Sequence, residues 1–292
     1  MERARSIGII GLGLMGGSLA LKLRECGYAT TIIGTDYSES VIQEALNLSI
    51  IDSSSSLDKL IAQVDIIVIA IPVDVIKDLL PKVLDKISSN QIVMDMGSTK
   101  SGIAKQVYNH KNRANYVACH PIAGTENNGP SAAFSSLFEN KVNIICDREL
   151  SSDKSIEEVM LVTELLGMRA KYMTSKEHDL HIAYVSHLSH ISSFTLGQTV
   201  LEVEKDEENI FDMAGSGFES TVRLAKSSPE MWAPIFTENS ENIIDVLSAY
   251  IANLEKYKLM IEQGNEKALQ RAMKQTNKIR TVLEANTPIT IN

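Results

Sequence analysis

A glycine-rich turn near the start of the chain has the residue types and spacing of a phosphate-binding turn. Gly11, Gly13 and Gly16 lie between a short apolar run and a predicted helix. The first glycine permits a tight turn, the second lets the backbone approach a pyrophosphate, and the third lets the helix pack on the strand. The unpaired N–H groups at the start of the helix, near Leu14 and Met15, would then face the phosphates.

A carboxylate at the end of the second predicted strand fits the same kind of ligand. This strand covers residues 31–35, and Asp36 follows it, 20 residues beyond Gly16. A carboxylate at this spacing accepts hydrogen bonds from an adenosine ribose and repels a 2′-phosphate. The turn and the acid together predict an NAD site rather than an NADP site. The alternative is a glycine turn that holds no ligand.

Other candidate residues follow the next predicted strands. In a sheet of this kind, ligands lie outside the carboxyl ends of the strands. Ile71 and Pro72 follow the third predicted strand, and we expect them to line the cofactor site. Ser98 follows the fourth strand, and it either takes part in a site or caps a helix that begins at Thr99.

A histidine follows the fifth predicted strand. His120 precedes a proline and a glycine turn that leads to Thr125 and Glu126. Near neutral pH, imidazole can take a proton from a hydroxyl group while hydride leaves the same carbon. From its position alone, His120 is equally a general base or a residue that caps the strand by bonding to the backbone.

Four histidines lie in one predicted helix over residues 177–203. His178 and His181 are near its polar start, where we expect them to be solvated. His187 and His190 lie among apolar residues and are expected to point inward, where each must satisfy both ring nitrogens or meet a ligand. A metal site with Glu177 or Asp179 as a carboxylate ligand is the weaker alternative. Structural zinc usually requires four ligands at familiar spacings, and no thiolates are available, so no metal is predicted.

Arg223 is a further candidate, because a guanidinium between apolar neighbours suits the bidentate capture of a carboxylate. It follows a glycine-rich turn, and Val222 and Leu224 flank it. The residues alone slightly favour the alternative, which is an ordinary surface arginine or an ion pair with Glu219 one helical turn back.

Short apolar strands alternate with helices in the first half of the chain, which is typical of an α/β fold. Strands are predicted over residues 7–10, 31–35, 65–71, 91–95, 115–118, 141–146 and 168–174. Beyond residue 175 the pattern is helical, with long helices predicted over residues 177–203, 239–263 and 266–284. We therefore predict a Rossmann-type, mostly parallel sheet domain over residues 1–174 and an all-helical domain over residues 175–292.

Composition and charge limit the partners and the compartment. The chain has 292 residues and a net charge of −9, which argues against a nucleic-acid partner because phosphate binding needs clustered Lys and Arg. Its three cysteines are far apart and form no C-x-x-C pair, which is typical of reduced thiols in the cytoplasm. The apolar run over residues 66–73 is too short to span a bilayer, so no membrane partner is predicted.

Five segments together resemble the prephenate dehydrogenase family, which also includes arogenate dehydrogenases. They cover residues 11–20, 97–100, 120–126, 186–190 and 223–232. The resemblance implies an NAD-dependent oxidative decarboxylation of prephenate to 4-hydroxyphenylpyruvate, a step of tyrosine biosynthesis. Because the family combines a Rossmann domain with a helical dimerisation domain, it also implies a homodimer through the helical domain.

The resemblance further implies a role for each matching residue. His120 is the catalytic histidine that bonds to the ring hydroxyl, and Ser98 supports it. Arg223 binds a substrate carboxylate. The residues that line the substrate pocket are His190, Thr125 and Glu126, with Trp232 nearby.

The chain departs from the family pattern at two positions. Ser189 stands between two histidines where the family often has proline, which changes helix geometry more than chemistry. Ser220 stands three residues before Arg223, where the family often has an acid that would help to orient the guanidinium.

Three other functions compete with prephenate oxidation. Arogenate differs from prephenate only in an amino group that replaces the side-chain keto group. The β-hydroxyacid dehydrogenases have a similar glycine turn, but they depend on a lysine early in the helical domain, and no lysine lies between Glu177 and Glu204. A non-catalytic NAD-binding sensor would leave His120, Ser98 and Arg223 without a purpose.

Overall fold

The computed structural model describes residues 5–204 and 210–286, so both ends of the chain lie outside the described residues. Its strands are β1 (Arg5–Ile10), β2 (Ala29–Thr35), β3 (Ser53–Ser54), β4 (Ile66–Ile69), β5 (Ile92–Asp95), β6 (Tyr116–Pro121), β7 (Val142–Cys146) and β8 (Arg169–Met173). They form one sheet in the order β3-β2-β1-β4-β5-β6-β7-β8. Every neighbouring pair is parallel except β6 and β7. The predicted mostly parallel sheet followed by helices is confirmed.

The helices follow the strands and then occupy the rest of the chain. They are α1 (Leu14–Glu25), α2 (Glu39–Asn47), α3 (Leu57–Gln63), α4 (Val73–Lys86), α5 (Ser101–Val107), α6 (Asp153–Leu165), α7 (Ser175–Ile182), α8 (Leu188–Glu204), α9 (Ser216–Val222), α10 (Pro229–Glu238), α11 (Ser240–Glu262), α12 (Glu266–Thr276) and α13 (Ile279–Asn286). A π-helical turn, Ala183–His187, joins α7 to α8. A 3₁₀ turn, Arg223–Lys226, follows α9.

Both faces of the sheet are covered by helices, and this explains why its central strands are apolar without alternation. All four residues of β4 and all four of β5 are buried. One core contains side chains of α1, α2 and α6, and the other contains side chains of α3, α4 and α5. The order of strands reverses between β1 and β4, so the crevice that binds ligands in such sheets opens at the carboxyl ends of these strands.

The structure differs from the predicted elements in several places. Ser53 and Ser54, which lie in none of the predicted strands, pair with β2 as a two-residue strand. The predicted helix over 177–203 is divided by the π-helical turn. The predicted helix over 266–284 ends at Thr276, and a separate helix begins at Ile279. Short polar strands and helix breaks leave little trace in a hydrophobic pattern, because the pattern records burial rather than backbone bonds.

The chain divides into two compact units, Met1–Ser240 and Glu241–Asn292. The first unit contains the sheet and the helices up to α10. Within it, an ion pair of 3.0 Å between Lys77 and Glu238 connects α4 to α10. The second unit has exposed apolar side chains, such as Ile251, Leu259 and Met273. The domain boundary at residue 174 stays a prediction. None of the described helices is both long enough and apolar enough to cross a membrane.

A buried ion pair holds the end of strand β6. The ladder between β5 and β6 includes only Tyr116 and Val117 on β6, and beyond them β6 pairs with β7 alone. The side chains of Asp95 and Lys100 replace the missing ladder, because Asp95 accepts the Cys119 N–H at 3.1 Å and Lys100 donates to the Cys119 carbonyl at 2.6 Å. The two side chains also bond to each other and are fully buried.

Replacing Lys100 by Met should lower the free energy of unfolding by about 3–5 kcal/mol, because it leaves the Asp95 carboxylate buried without its partner. Urea denaturation followed by circular dichroism measures this loss. Lys86→Met is the matched control, since Lys86 pairs with Asp58 at the surface and its loss should cost less than about 1 kcal/mol. Equal effects of the two substitutions would contradict the structural role of the buried pair.

Candidate active site

The glycine turn has the geometry that a pyrophosphate requires. Gly11 has a φ of +96°, and a Cβ there would lie 2.3 Å from the Ala70 carbonyl oxygen. A Cβ at Gly16 would lie 2.0 Å from the Gly11 carbonyl oxygen, so contact between strand and helix requires this glycine. A Cβ at Gly13 would meet no protein atom within 4 Å. The space above Gly13 is therefore compatible with the approach of a ligand.

The predicted acid lies beside this turn. One Asp36 oxygen accepts the N–H of Leu12 at 2.9 Å, and the other accepts the N–H of Ser38 at 3.1 Å. Ile71 lies against Gly11, and Pro72 precedes the first residue of α4. Leu14 and Met15 open α1, whose first turn carries no acidic residue. The predicted cofactor-binding residues are therefore brought together, and the start of α1 is free to favour an anion.

His120 lies within β6, where it is followed by Pro121, rather than beyond the end of the strand as predicted. Its Nδ1 lies 2.8 Å from Nε2 of His178, and Nδ1 of His178 lies 2.8 Å from the Asp179 carboxylate. The same carboxylate accepts the backbone N–H groups of Lys100 and Ser101, both at 2.8 Å. A hydrogen-bonded chain thus runs from the start of α5 through α7 to β6.

The expectation that His178 is solvated is wrong, whereas His181 is exposed as expected. Asp179 reaches the backbone of α5, and this contact carries the start of α7 and His178 into the interior. The sequence contains a signal that could have been used, because His178 and Asp179 are adjacent and can satisfy each other when buried.

Burial keeps the two imidazoles of this chain neutral. Burial lowers the pKa of His120 well below its usual value of 6.5, and the positive charge of Lys100 and the neighbouring His178 act in the same direction. Burial also lowers the pKa of His178, although Asp179 opposes this. Although burial alone would raise it, hydrogen bonds from His178 and two backbone N–H groups hold the pKa of Asp179 below its usual value.

A second group of rings lies on α8 and α10 with the π-helical turn. The His190 imidazole stacks on the Trp232 indole, with ring centroids 3.5 Å apart and an angle of 24° between their planes. His187 meets the same indole edge-on at 5.9 Å. Burial lowers the pKa of His187 to about 4, and its Nδ1 lies 3.2 Å from the Asn239 amide nitrogen. His187 points inward as predicted, and His190 is half-buried.

The π-helical turn sets the relative direction of His178 and His187. Nine residues separate them, which is about two and a half α-helical turns and would place them on opposite sides of a regular helix. One extra residue in a wider turn reduces this offset to about 80°. Both imidazoles therefore face the interior, where Asn239 donates to the Asp179 carbonyl at 2.7 Å and lies beside His187.

The remaining predicted residues are more open. Ser98 is half-buried with no hydrogen bond to any described residue, and it does not cap a helix at Thr99, because α5 begins at Ser101. Thr125 and Glu126 are exposed. Arg223 is exposed in its 3₁₀ turn, and within residues 5–204 and 210–286 it forms no ion pair, so the predicted alternative of a pair with Glu219 is wrong.

Arg223 nevertheless lies within electrostatic range of the second ring group. Burial lowers the pKa of His190, and the positive charge of Arg223 adds a smaller effect in the same direction. His190 therefore stays neutral, with Nδ1 donating to the Ser186 carbonyl at 3.0 Å. In the part of the chain that the structure describes, no group of three or more His, Cys, Asp or Glu residues is arranged to hold a metal ion.

Comparison with known proteins places this architecture in one family. Residues 19–172 match the model for the nucleotide-binding domain of prephenate dehydrogenase, and residues 174–275 match the model for its dimerization domain. The chain is 31% identical over 287 residues to a prephenate dehydrogenase of Lactococcus lactis, covering 96% of this chain and 78% of the relative. It is 29% identical over 284 residues to a cyclohexadienyl dehydrogenase of Zymomonas mobilis, covering 97% of each.

A solved structure agrees with these matches. The crystal structure of prephenate dehydrogenase from Aquifex aeolicus, in complex with hydroxyphenyl propionate and NAD⁺, superposes with a TM-score of 0.88 at 30% identity. The match covers 96% of this chain and 99% of that one. The chain belongs to the prephenate dehydrogenase family.

Proposed function

We propose that this chain oxidises and decarboxylates prephenate to 4-hydroxyphenylpyruvate with NAD⁺ in tyrosine biosynthesis. Membership of the family supports this function, and one structural observation carries it. His120 is neutral, uses Nδ1 within the protein, and makes no hydrogen bond through Nε2 to any described residue. A neutral imidazole with one available nitrogen, at the carboxyl end of a Rossmann sheet, supports a role in taking a hydroxyl proton.

The residues of the glycine turn fit NAD⁺. Gly13 leaves room for a pyrophosphate, which the start of α1 would face, and the Asp36 carboxylate would bind the ribose. Ile71 and Pro72 would line the same site. When bound, the nicotinamide supplies the hydride acceptor, while the protein supplies position and charge.

The proton balance defines the task of His120. Its Nε2 takes the proton of the ring hydroxyl as the carbinol hydrogen leaves as hydride, and a ring ketone forms. The bond to the ring carboxylate then breaks, CO₂ leaves, and the electron pair makes the ring aromatic. The ketone oxygen becomes a phenolic oxygen and takes the proton back from His120. No net proton is released, so His120 returns to its neutral form within each cycle.

The other predicted residues are proposed to hold the substrate. Arg223 pairs with a substrate carboxylate, because its guanidinium has no acidic partner among the described residues. His190, stacked on Trp232, offers Nε2 to the pocket, since its Nδ1 donates to Ser186. Thr125 and Glu126 line the same pocket, and Ser98 supports His120 from the loop after β5.

Arogenate is the alternative substrate within the family. The Zymomonas mobilis relative is named for cyclohexadienyl substrates in general, which include both compounds by their ring. NADH formation measured with prephenate, with arogenate and with a 3-hydroxy acid tests the proposal. Turnover of prephenate supports it. Turnover of arogenate alone, of the hydroxy acid alone, or of none of the three would overturn it.

We also propose a homodimer, a cytoplasmic location and a domain boundary near residue 174. The exposed apolar side chains of α11 and α12 and the match to a dimerization domain support the dimer. The three free cysteines support a reducing compartment, and the net charge of −9 disfavours nucleic acid as a partner. The two family models meet between residues 172 and 174, which supports the boundary.

The first prediction from this function concerns cofactor choice. The enzyme should prefer NAD⁺ to NADP⁺, because Asp36 bonds to the ribose and repels a 2′-phosphate. Asp36→Ala should narrow this preference, measured as the ratio of kcat/KM for the two cofactors. Equal or better turnover of NADP⁺ by the unaltered enzyme would contradict the assignment.

The second prediction concerns Arg223. Loss of a charge-assisted pair costs about 1.5–3 kcal/mol, so Arg223→Ala should raise the KM for prephenate by roughly 10- to 150-fold. The dissociation constant of NAD⁺, measured by fluorescence titration, should stay near that of the unaltered enzyme. Lys226→Ala, an exposed cation in the same 3₁₀ turn, is the control. Weaker NAD⁺ binding with an unchanged KM for prephenate would show that Arg223 acts on the cofactor and not on the substrate carboxylate.

The third prediction concerns His120. His120→Asn cannot accept a proton, so kcat should fall by roughly 10²- to 10⁴-fold while the protein folds and binds NAD⁺. His181→Asn, at an exposed position on α7, should leave kcat unchanged. A His120→Asn enzyme with nearly normal kcat would reduce this histidine to a structural role.

The pH dependence follows from the same residue. His120 must be neutral to act as a base, so kcat/KM, which reports ionisations of the free enzyme, should rise with pH through its pKa and then level off. Because burial, His178, Lys100 and His187 all lower this pKa in the free enzyme, the rise should lie below pH 6.5, and kcat/KM should be flat around neutrality. Initial rates at low prephenate concentration and saturating NAD⁺ measure the profile, and the rise should be absent in His120→Asn. A rise centred above pH 7 would contradict a buried neutral base.

A further inference from the structure

We propose that His178 and Asp179 are positioning residues that fix His120 in the tautomer able to accept the substrate proton. This inference rests on the proposed function of His120 and extends it. Its basis is a chain of three buried side chains whose hydrogen bonds leave only one arrangement of protons.

The arrangement starts at Asp179. Its pKa is held low, so the carboxylate is ionised and can only accept hydrogen bonds. It accepts two backbone N–H groups at 2.8 Å and lies 2.8 Å from Nδ1 of His178. Nδ1 of His178 must therefore carry a proton and donate it.

The protonation of His178 in turn fixes that of His120. The pKa of His178 is lowered, so the imidazole is neutral and its Nε2 has no proton. This nitrogen can only accept, and its partner at 2.8 Å is Nδ1 of His120. His120 must therefore donate from Nδ1. Because His120 is neutral too, its Nε2 is unprotonated, and the residue retains 9% exposure toward solvent.

The chain also supports His120 after it has gained the proton. The resulting imidazolium still donates from Nδ1 to His178, and the negative charge of Asp179 stabilises it through the intervening ring, as an acid does in a catalytic triad. The other charged groups near His120 are the buried pair of Lys100 and Asp95, and of these the Lys100 ammonium opposes the positive charge by lowering the pKa of His120. Asp179 is thus the counterion for the charge that forms transiently on His120.

Two substitutions at residue 178 separate positioning from simple packing. Asn is too short to reach His120, but its amide can still donate to Asp179. Gln has an amide at the level of Nε2, so its oxygen can accept the His120 proton and restore the tautomer. We expect His178→Asn to lower kcat by about 10- to 100-fold, by analogy with partners that orient metal-binding histidines. His178→Gln should recover most of this loss.

Other readouts should separate a positioning role from general damage. The KM for prephenate and the dissociation constant of NAD⁺ should change little in either variant, and the Tm of His178→Asn should fall only by the few degrees expected for one lost buried hydrogen bond. In a His120→Asn background, His178→Asn should cause no further loss of kcat, because it acts through His120. His181→Asn, on the same helix and exposed, is the control.

The outcomes distinguish this inference from the proposed function. If the unaltered enzyme does not oxidise prephenate, the function fails. If it does, but His178→Asn keeps nearly normal kcat, the positioning role is overturned. It is also overturned if Asn and Gln lower kcat equally, or if the loss adds fully to that of His120→Asn. Loss of folding in both variants would likewise overturn it and assign His178 to packing.

Discussion

The site depends on one buried carboxylate. Asp179 accepts two N–H groups at the start of α5 and the His178 imidazole, so α5 and α7 meet at its oxygens and His178 extends the contact to β6. An ionised carboxylate in the interior is costly unless hydrogen bonds compensate it, and these contacts provide the compensation. The position of α7, and with it the first of the buried histidines, follows from this requirement.

A second buried carboxylate plays the matching role in the sheet. Asp95 and Lys100 hold the backbone of Cys119, the residue before His120, where β6 separates from β5. The backbone of His120 is held by the pairing of β6 with β7, and its imidazole is held by the hydrogen bond to His178. The segment from the end of β5 to the first residue of α5 supplies both the Lys100 side chain and the N–H groups that bind Asp179. It therefore connects the two buried carboxylates.

Much of the nucleotide-binding part could be predicted from the sequence, because its signals are local. The glycine turn, Asp36 and the apolar strands depend on residues close in the chain, and their geometry agrees with the fingerprint that predicted them. His178 was missed because its neighbours on α7 are polar, and a local pattern cannot show that Asp179 reaches a helix 78 residues away. Lys100 likewise resembles a surface residue until its contacts with Asp95 are known.

The π-helical turn was also invisible in the sequence, since apolar residues continue through it. The turn nevertheless shapes the candidate site, because it directs His187 toward the same interior as His178. Periodicity assumes a regular helix, so the relative directions of the histidines could not be derived from spacing alone. The arrangement of protons in the site therefore required the structure.

The most direct test of this account is the ¹⁵N NMR spectrum of histidine-labelled enzyme at neutral pH, with the His120 signals identified by their absence in His120→Asn. The chemical shifts of the two ring nitrogens report which one carries the proton. The account predicts a neutral His120 with a protonated Nδ1 and an unprotonated Nε2. A proton on Nε2, in either the other tautomer or the imidazolium, would contradict it.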